Sequence, residues 1–212
     1  HRELEAILDQ IEGRTNQVAR TFDRICDMLE VMKYIQPLAD LTGEYEVLDA
    51  GRTLARIYGE RDLLVAQCLR LGVWREADPA TLAAIAASLV YEARRDDEDL
   101  SPKVPRGNFA DIYEQTLSIW QDIEIAAKGY KLPPTNEPDL NFTVATHRWA
   151  TGARLDAVLG ESDMLAGDFI RWMKQIVDLL DQIAQTAQDE VADTARAAID
   201  KIKRGIVAYS YY

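Results

Sequence analysis

Five polar residues inside an otherwise apolar stretch are the first candidates for chemistry. In residues 166–185, AGDFIRWMKQIVDLLDQIAQ, they are Arg171, Lys174, Gln175, Asp178 and Gln182. Steps of three and four residues return to the same side of a helix, so the five form one narrow line along its axis. The rest of the stretch is Phe169, Ile170, Trp172, Met173, Ile176, Val177, Leu179, Leu180 and Ile183. That is far more apolar surface than a single stripe, and it predicts a helix enclosed by others on most sides. The polar seam then faces bulk water or a channel through which something polar passes.

Other chemistries lack their residues. The phosphate loop G-x-x-x-x-G-K-[ST] and the dinucleotide fingerprint G-x-G-x-x-G are both missing. A zinc site needs clustered Cys and His, and the chain offers two distant cysteines and one internal histidine, His147. A di-iron bundle needs Glu-x-x-His pairs, but Val144 stands three residues before His147. No G-x-S-x-G elbow accompanies that histidine, so serine hydrolysis fails as well. His147, beside Trp149, reads as a packed or surface side chain. Glu92, Arg94 and Arg95 read as solvated charges or a local salt bridge at a helix end. The chain itself carries no recognisable catalytic, cofactor or metal site.

Composition sets wider bounds. The chain has 212 residues, 48% apolar and 28% charged, an ordinary globular balance. A formal charge of −12 disfavours a free-standing nucleic-acid binder, whose affinity rests on Lys and Arg neutralising phosphates. It leaves room for a few polar contacts to a strand held mainly by another domain. No run of eighteen apolar residues occurs, so no membrane span or membrane partner is expected. Cys26 and Cys68 lie in apolar periodic segments and read as buried thiols of a reducing, cytoplasmic compartment. The chain begins at His1 without a Met, which reads as a processed end or a piece of something longer.

The elements that must position the seam follow from periodicity and punctuation. Leu4, Ile7, Leu8 and Ile11 predict a short helix ended by Gly13. A second helix follows a cap at Thr15 or Asn16, with Val18, Phe22, Ile25, Leu29 and Met32 on its apolar face. Two β-prone pieces, 34–36 and 45–48, flank a loop with Pro37 and Gly43. A helix followed by a small hairpin is the pattern of the later half of a winged-helix unit. From Gly51 the pattern is uniformly helical: two helices broken near Gly59 and stopped by Gly72, then 79–95 capped by Asp78 with Pro79 at its first position. A charged loop at 95–107 precedes a helix from Asn108 to about Gly129. The connector KLPPTNEPDLN cannot be helical through its prolines. Two short helices, one bearing Trp149 and stopped by Gly152, lead into the seam helix. A last amphipathic helix over 189–210 turns Val191, Ala195, Ala198, Ile202 and Ile206 to one side. The prediction is a mainly α, irregular bundle of about nine helices with a small winged-helix-like lead-in carrying a short β-hairpin.

Several of these stretches together resemble one known family. They are GRTLARIYGERDLLVAQCLRLGVW, DPATLAAIAASLVYEARR, HRWATGARLDAVLGESDMLAGDFIRWMKQIVDLLDQIA and TARAAIDKIKRGIVAYS. In order and spacing they carry a W-x-x-G segment, a G-D-F-x-R-W segment and an R-G-[IV]-V end. They resemble the DSHCT domain that closes superkiller-type and HelY-type DExH-box RNA helicases of superfamily II. The lead-in GRTNQVARTFDRICDMLE resembles what precedes it there. The resemblance implies residues 1–50 as the later half of a winged-helix domain and 51–212 as the DSHCT bundle. Within it, a ratchet helix covers about 167–187.

The family resemblance also implies a role. Two RecA-like motor domains in cis would bind ATP and Mg, and the bundle would close the motor into a ring around single-stranded RNA. The ratchet helix would touch the strand. The family's strand-contacting positions, an Arg and an acidic residue three later, fall on Gln175 and Asp178. Gln175 departs from that Arg; it offers a hydrogen bond to a base edge or sugar instead of a stacked cation. Arg171, one turn earlier, is the candidate for the missing charge, and Lys174 shares the seam. The RNA-binding set is therefore Arg171, Lys174, Gln175 and Asp178. Mixed contacts of this kind suit a strand that must slide. A second function class is a helical scaffold whose outer face and loop 95–107 recruit an RNA-decay nuclease or adaptor.

Overall fold

A computed structural model describes residues 2–39, 43–92, 103–160 and 164–211, with side chains from residue 15 onward. Ten helices and one two-stranded antiparallel hairpin make up these residues, so the chain is mainly α, an irregular bundle with a small hairpin as predicted. The backbone divides into two compact units: residues 1–52 with 121–135, and residues 53–120 with 136–212.

The first unit begins with α1 (Arg2–Val31), a single helix of 30 residues. The break predicted at Gly13 does not occur. One interior glycine costs only about 1 kcal/mol, and strong helix formers on both sides carry the helix through it. Its predicted apolar face is corrected too: Val18 is 68% and Phe22 60% exposed, and Ile25 is also exposed, while Cys26 and Met28 are buried. Strands β1 (Ile35–Pro37) and β2 (Tyr45–Val47) pair in the register Ile35 to Val47 and Pro37 to Tyr45. Pro37 is tolerated at the end of a strand in a sheet of two. Helix α2 (Asp49–Leu54) follows directly. Helix α5 (Phe109–Gly129) contributes its C-terminal part to this unit and the rest to the second.

The second unit is built around α4 (Pro79–Val90), in which every residue from Ala80 to Leu89 is buried. Asp78 caps it, its Oδ1 accepting from the Ala80 and Thr81 backbone N–H groups at 2.8 and 3.0 Å. Small residues let α6 (Thr143–Ala150), α8 (Ala166–Thr186) and α9 (Glu190–Ile202) pack closely against it. Helix α3 (Asp62–Leu71) ends at Gly72, whose left-handed φ of 69° lets its N–H reach the Cys68 and Leu69 carbonyls. Helix α7 (Leu155–Leu159) is a single short turn against α6.

Two predicted helices end early. Helix α4 stops at Val90 instead of running to residue 95. Tyr91 turns extended and its ring stacks on Phe142 at 5.2 Å and edge-on to Trp172 at 4.9 Å. Arg94, Arg95 and positions 95–102 of the charged loop lie outside the described residues. The last helix is two: α9 ends at Ile202 and α10 (Gly205–Tyr209) restarts after an extended Arg204. The Arg204 guanidinium lies 3.7 Å over the Trp149 ring and donates to the carbonyls of Trp149 and Ala153. Those bonds hold the chain out of helix, and Gly205 absorbs the turn at φ 50°.

Candidate nucleic-acid interface

Helix α8 is amphipathic in the way its sequence dictates. Phe169, Met173, Ile176, Val177, Leu179, Leu180 and Ile183 are buried, and Arg171, Gln175 and Asp178 are exposed. The seam therefore exists as one continuous strip on a helix whose other sides are fixed by α4, α9 and α10. Its members do not all point to the same place.

Gln175, Asp178 and Gln182 form one wall of a cleft of about 460 Å³ within the second unit. The opposite wall is the turn 57–62 between α2 and α3. Gln182 ties the two walls together, its Oε1 accepting the Tyr58 backbone N–H at 2.7 Å. Trp172 adds part of a ring to the cleft, and Val90 and Glu92 close one end. The Gln175 and Asp178 side chains have no hydrogen bond or ion pair among the described residues.

Arg171 and Lys174 are committed elsewhere. The Arg171 guanidinium donates to Asp168 at 3.2 Å and sits 4.9 Å from the centre of its neighbour's ring, Trp172. Lys174 donates from Nζ to the Ser210 carbonyl at 2.6 Å and lies 5.1 Å from the Tyr211 ring. Lys203 joins it on that ring at 4.4 Å. Consecutive residues lie about 100° apart around a helix, so Lys174 and Gln175 flank the seam on opposite sides. One flank is the basic cluster at Tyr211; the other is the cleft.

The cleft is acidic. Glu60, Asp62, Glu92 and Asp178 line it, against one guanidinium, Arg61. Arg61 is only 7% exposed. Its three nitrogens donate to the carbonyls of Leu89, Asn136 and Glu137 at 2.7, 3.2 and 3.3 Å, so the charge is spent on closing the end of α4 and anchoring the proline connector. Glu92 is its ion-pair partner at 3.8 Å. Burial holds the Asp62 carboxyl above the usual carboxylate range, an effect only partly offset by the Leu63 N–H it accepts. On the other flank, burial first and then the Asp178 charge push the Tyr211 phenol up.

Sequence reasoning reached the α8 wall because helical spacing announces it. It missed Tyr58, Arg61 and Tyr211, which come from turns and helix ends where no periodicity exists. No local signal announced them: Tyr58 and Tyr211 each have an apolar residue four positions earlier, Leu54 and Val207, like any core position.

No group of three or more His, Cys, Asp or Glu among the described residues could hold a metal ion, and no helix there is long and apolar enough to cross a membrane. The class defined by these observations is a helical domain whose α8 carries a polar seam beside an acidic cleft. Comparison with known proteins gives the family. The DSHCT (NUC185) domain matches residues 44–210. The chain is 38% identical over 211 residues to the probable helicase HelY of Mycobacterium tuberculosis, covering 94% of this chain and 23% of that protein. It is 26% identical over 223 residues to the chloroplastic DExH-box ATP-dependent RNA helicase DExH15 of Arabidopsis thaliana, covering 93% and 18%. It is 25% identical over 166 residues to the exosome RNA helicase MTR4 of Homo sapiens, covering 74% and 16%. The chain belongs to the DSHCT domain family. It spans less than a quarter of the length of these relatives.

Proposed function

We propose that this chain is the accessory domain of an ATP-dependent DExH-box RNA helicase, and that α8 is its ratchet helix, contacting single-stranded RNA as the strand moves. ATP and Mg belong, on this reading, to RecA-like domains outside the chain, and the setting is cytoplasmic. The observation that carries the reading is the pair Gln175 and Asp178, exposed and with no side-chain hydrogen bond or ion pair among the described residues, on a helix otherwise locked into the bundle. A purely structural surface helix gains by pairing its polar groups with neighbours, as Gln185 does with Asp181 on the next turn. The names of the relatives support a helicase context, and a net charge of −12 fits a domain that touches a strand held mainly by others.

The test is Gln175→Ala with Asp178→Ala in the full-length protein. Losing a contact to one base costs about 1 kcal/mol or more, so unwinding and RNA-stimulated ATP hydrolysis should fall about fivefold or more. The melting temperature should stay within a degree or two, since both side chains are exposed. Unwinding and stimulated hydrolysis equal to those of the unsubstituted protein would take the seam off the RNA path.

A further inference from the structure

The geometry points to the cleft between the Tyr58 turn and α8 as a pocket for one unstacked RNA base bearing an exocyclic amine, stacked on Tyr58 and bonded through that amine to Asp178. The inference rests on the RNA reading above and adds which part of the strand enters and which bases are favoured.

Size and shape come first. A cleft of about 460 Å³ lies within the range of small-molecule sites and has more than enough room for a single base. Its outer lip is Tyr58, a ring left 75% exposed. Yet the Tyr58 backbone is not loose: the bond from its N–H to Gln182 tethers it to the floor helix. An exposed aromatic on a tethered turn beside a polar cleft is the arrangement on which single-stranded bases stack.

Charge then decides which part of a nucleotide enters. Four carboxylates line the cleft, and its one guanidinium is buried with all three nitrogens donating to carbonyls. A phosphate is repelled. Of the cations near the seam, Arg171 is paired with Asp168, and Lys174 and Lys203 sit on the far flank around Tyr211. A strand crossing α8 therefore turns its phosphates toward the lysines and its bases toward the cleft.

Hydrogen-bond polarity narrows the base. An ionised Asp178 only accepts, so it takes the exocyclic N–H₂ of adenine, cytosine or guanine. Uracil presents a carbonyl oxygen at the position where cytosine carries its amine, and two acceptors face each other. Gln175, one turn away on the same wall, offers both a donor and an acceptor to the rest of the base edge.

Cytosine and uracil are alike in size and differ only on the edge at positions 3 and 4, so comparing them reads the edge that carries the amine. Dissociation constants of the full-length protein for oligo(C) and oligo(U) at one salt concentration should differ by about fivefold or more in favour of oligo(C). Asp178→Ala should bring the ratio close to one. Tyr58→Leu should weaken both strands about tenfold with the ratio kept, and Tyr58→Phe should restore both. Tyr58 is exposed, so its variants keep the melting temperature. An oligo(C) to oligo(U) ratio of one, with Tyr58→Leu silent, overturns the pocket; if Gln175→Ala with Asp178→Ala still lowers unwinding, the ratchet reading survives it. If that double variant is silent too, both readings fall.

Discussion

Arg204 does a job at the end of the bundle that lysine cannot do. Its flat guanidinium stacks on Trp149 at 3.7 Å while donating at 2.6 Å to the carbonyls of Trp149 and Ala153. Burial pulls its pKa down, but an arginine remains charged. Trp149 in turn donates its indole N–H to the Ile202 carbonyl at 2.9 Å, so the two residues hold the end of α9 against α6. Arg204→Lys keeps the charge and loses the fork; it should destabilise by about 2 kcal/mol in denaturant titration. The Asp178–Tyr211 pair makes a second residue-scale prediction. A phenol whose folded pKa lies above its unfolded value makes the protein lose stability as pH climbs past the ordinary tyrosine range, because the native state holds the proton longer. Asp178→Asn removes the second of the two causes, so the Tyr211 midpoint should fall while staying raised by burial. NMR titration of the labelled tyrosine ring carbon reads it directly; an unmoved midpoint would separate the two side chains. Gln175 and Asp178 were legible in the sequence because a helix repeats. Tyr58 was not, because what makes it notable is a hydrogen bond to Gln182, 124 positions away.

At the scale of elements, legibility followed local chemistry. Helix α4 starts where Asp78 and Pro79 say it must, and α3 stops at Gly72, because caps and left-handed glycines act within a few residues. Helix ends set by distant partners were invisible. Nothing near Val90 announces that Arg61 takes the Leu89 carbonyl and that Tyr91 is drawn to Phe142. Nothing near Ile202 announces the Trp149 platform that breaks α9 from α10. Two glycines make the same contrast testable. A Cβ on Gly51 would run into the Tyr34 carbonyl oxygen, backbone that already accepts the Leu48 N–H at 3.0 Å and cannot retreat. Gly51→Ala should therefore destabilise the hairpin unit by about 2 kcal/mol. Gly167, in the first turn of α8, has open space around the same position. Gly167→Ala should stabilise by about 0.5 kcal/mol, since alanine gives up less backbone freedom on entering a helix. Chemical denaturation of the two variants should show shifts of opposite sign.

For the molecule as a whole, charge and contact pull in different directions. At −12 the chain repels a polyanion at long range, and its described cations near the seam are few and partly engaged. On the proposed reading, most of its share of RNA binding comes from short-range contacts that release no counterions, the basic flank at Tyr211 being the exception. Salt separates the two contributions. The slope of log affinity against log salt counts the phosphates neutralised by the whole protein, at about 0.7 per contact for a single strand. Gln175→Ala swaps one neutral side chain for another. It should lower affinity at every salt concentration and leave the slope of the full-length protein unchanged, giving parallel lines. Lys203→Ala, on the basic flank beside Tyr211, should flatten the slope by about 0.7 if that flank meets a phosphate. A Gln175→Ala line that converges with the parent line at high salt would assign Gln175 to the phosphate backbone and remove it from base contact.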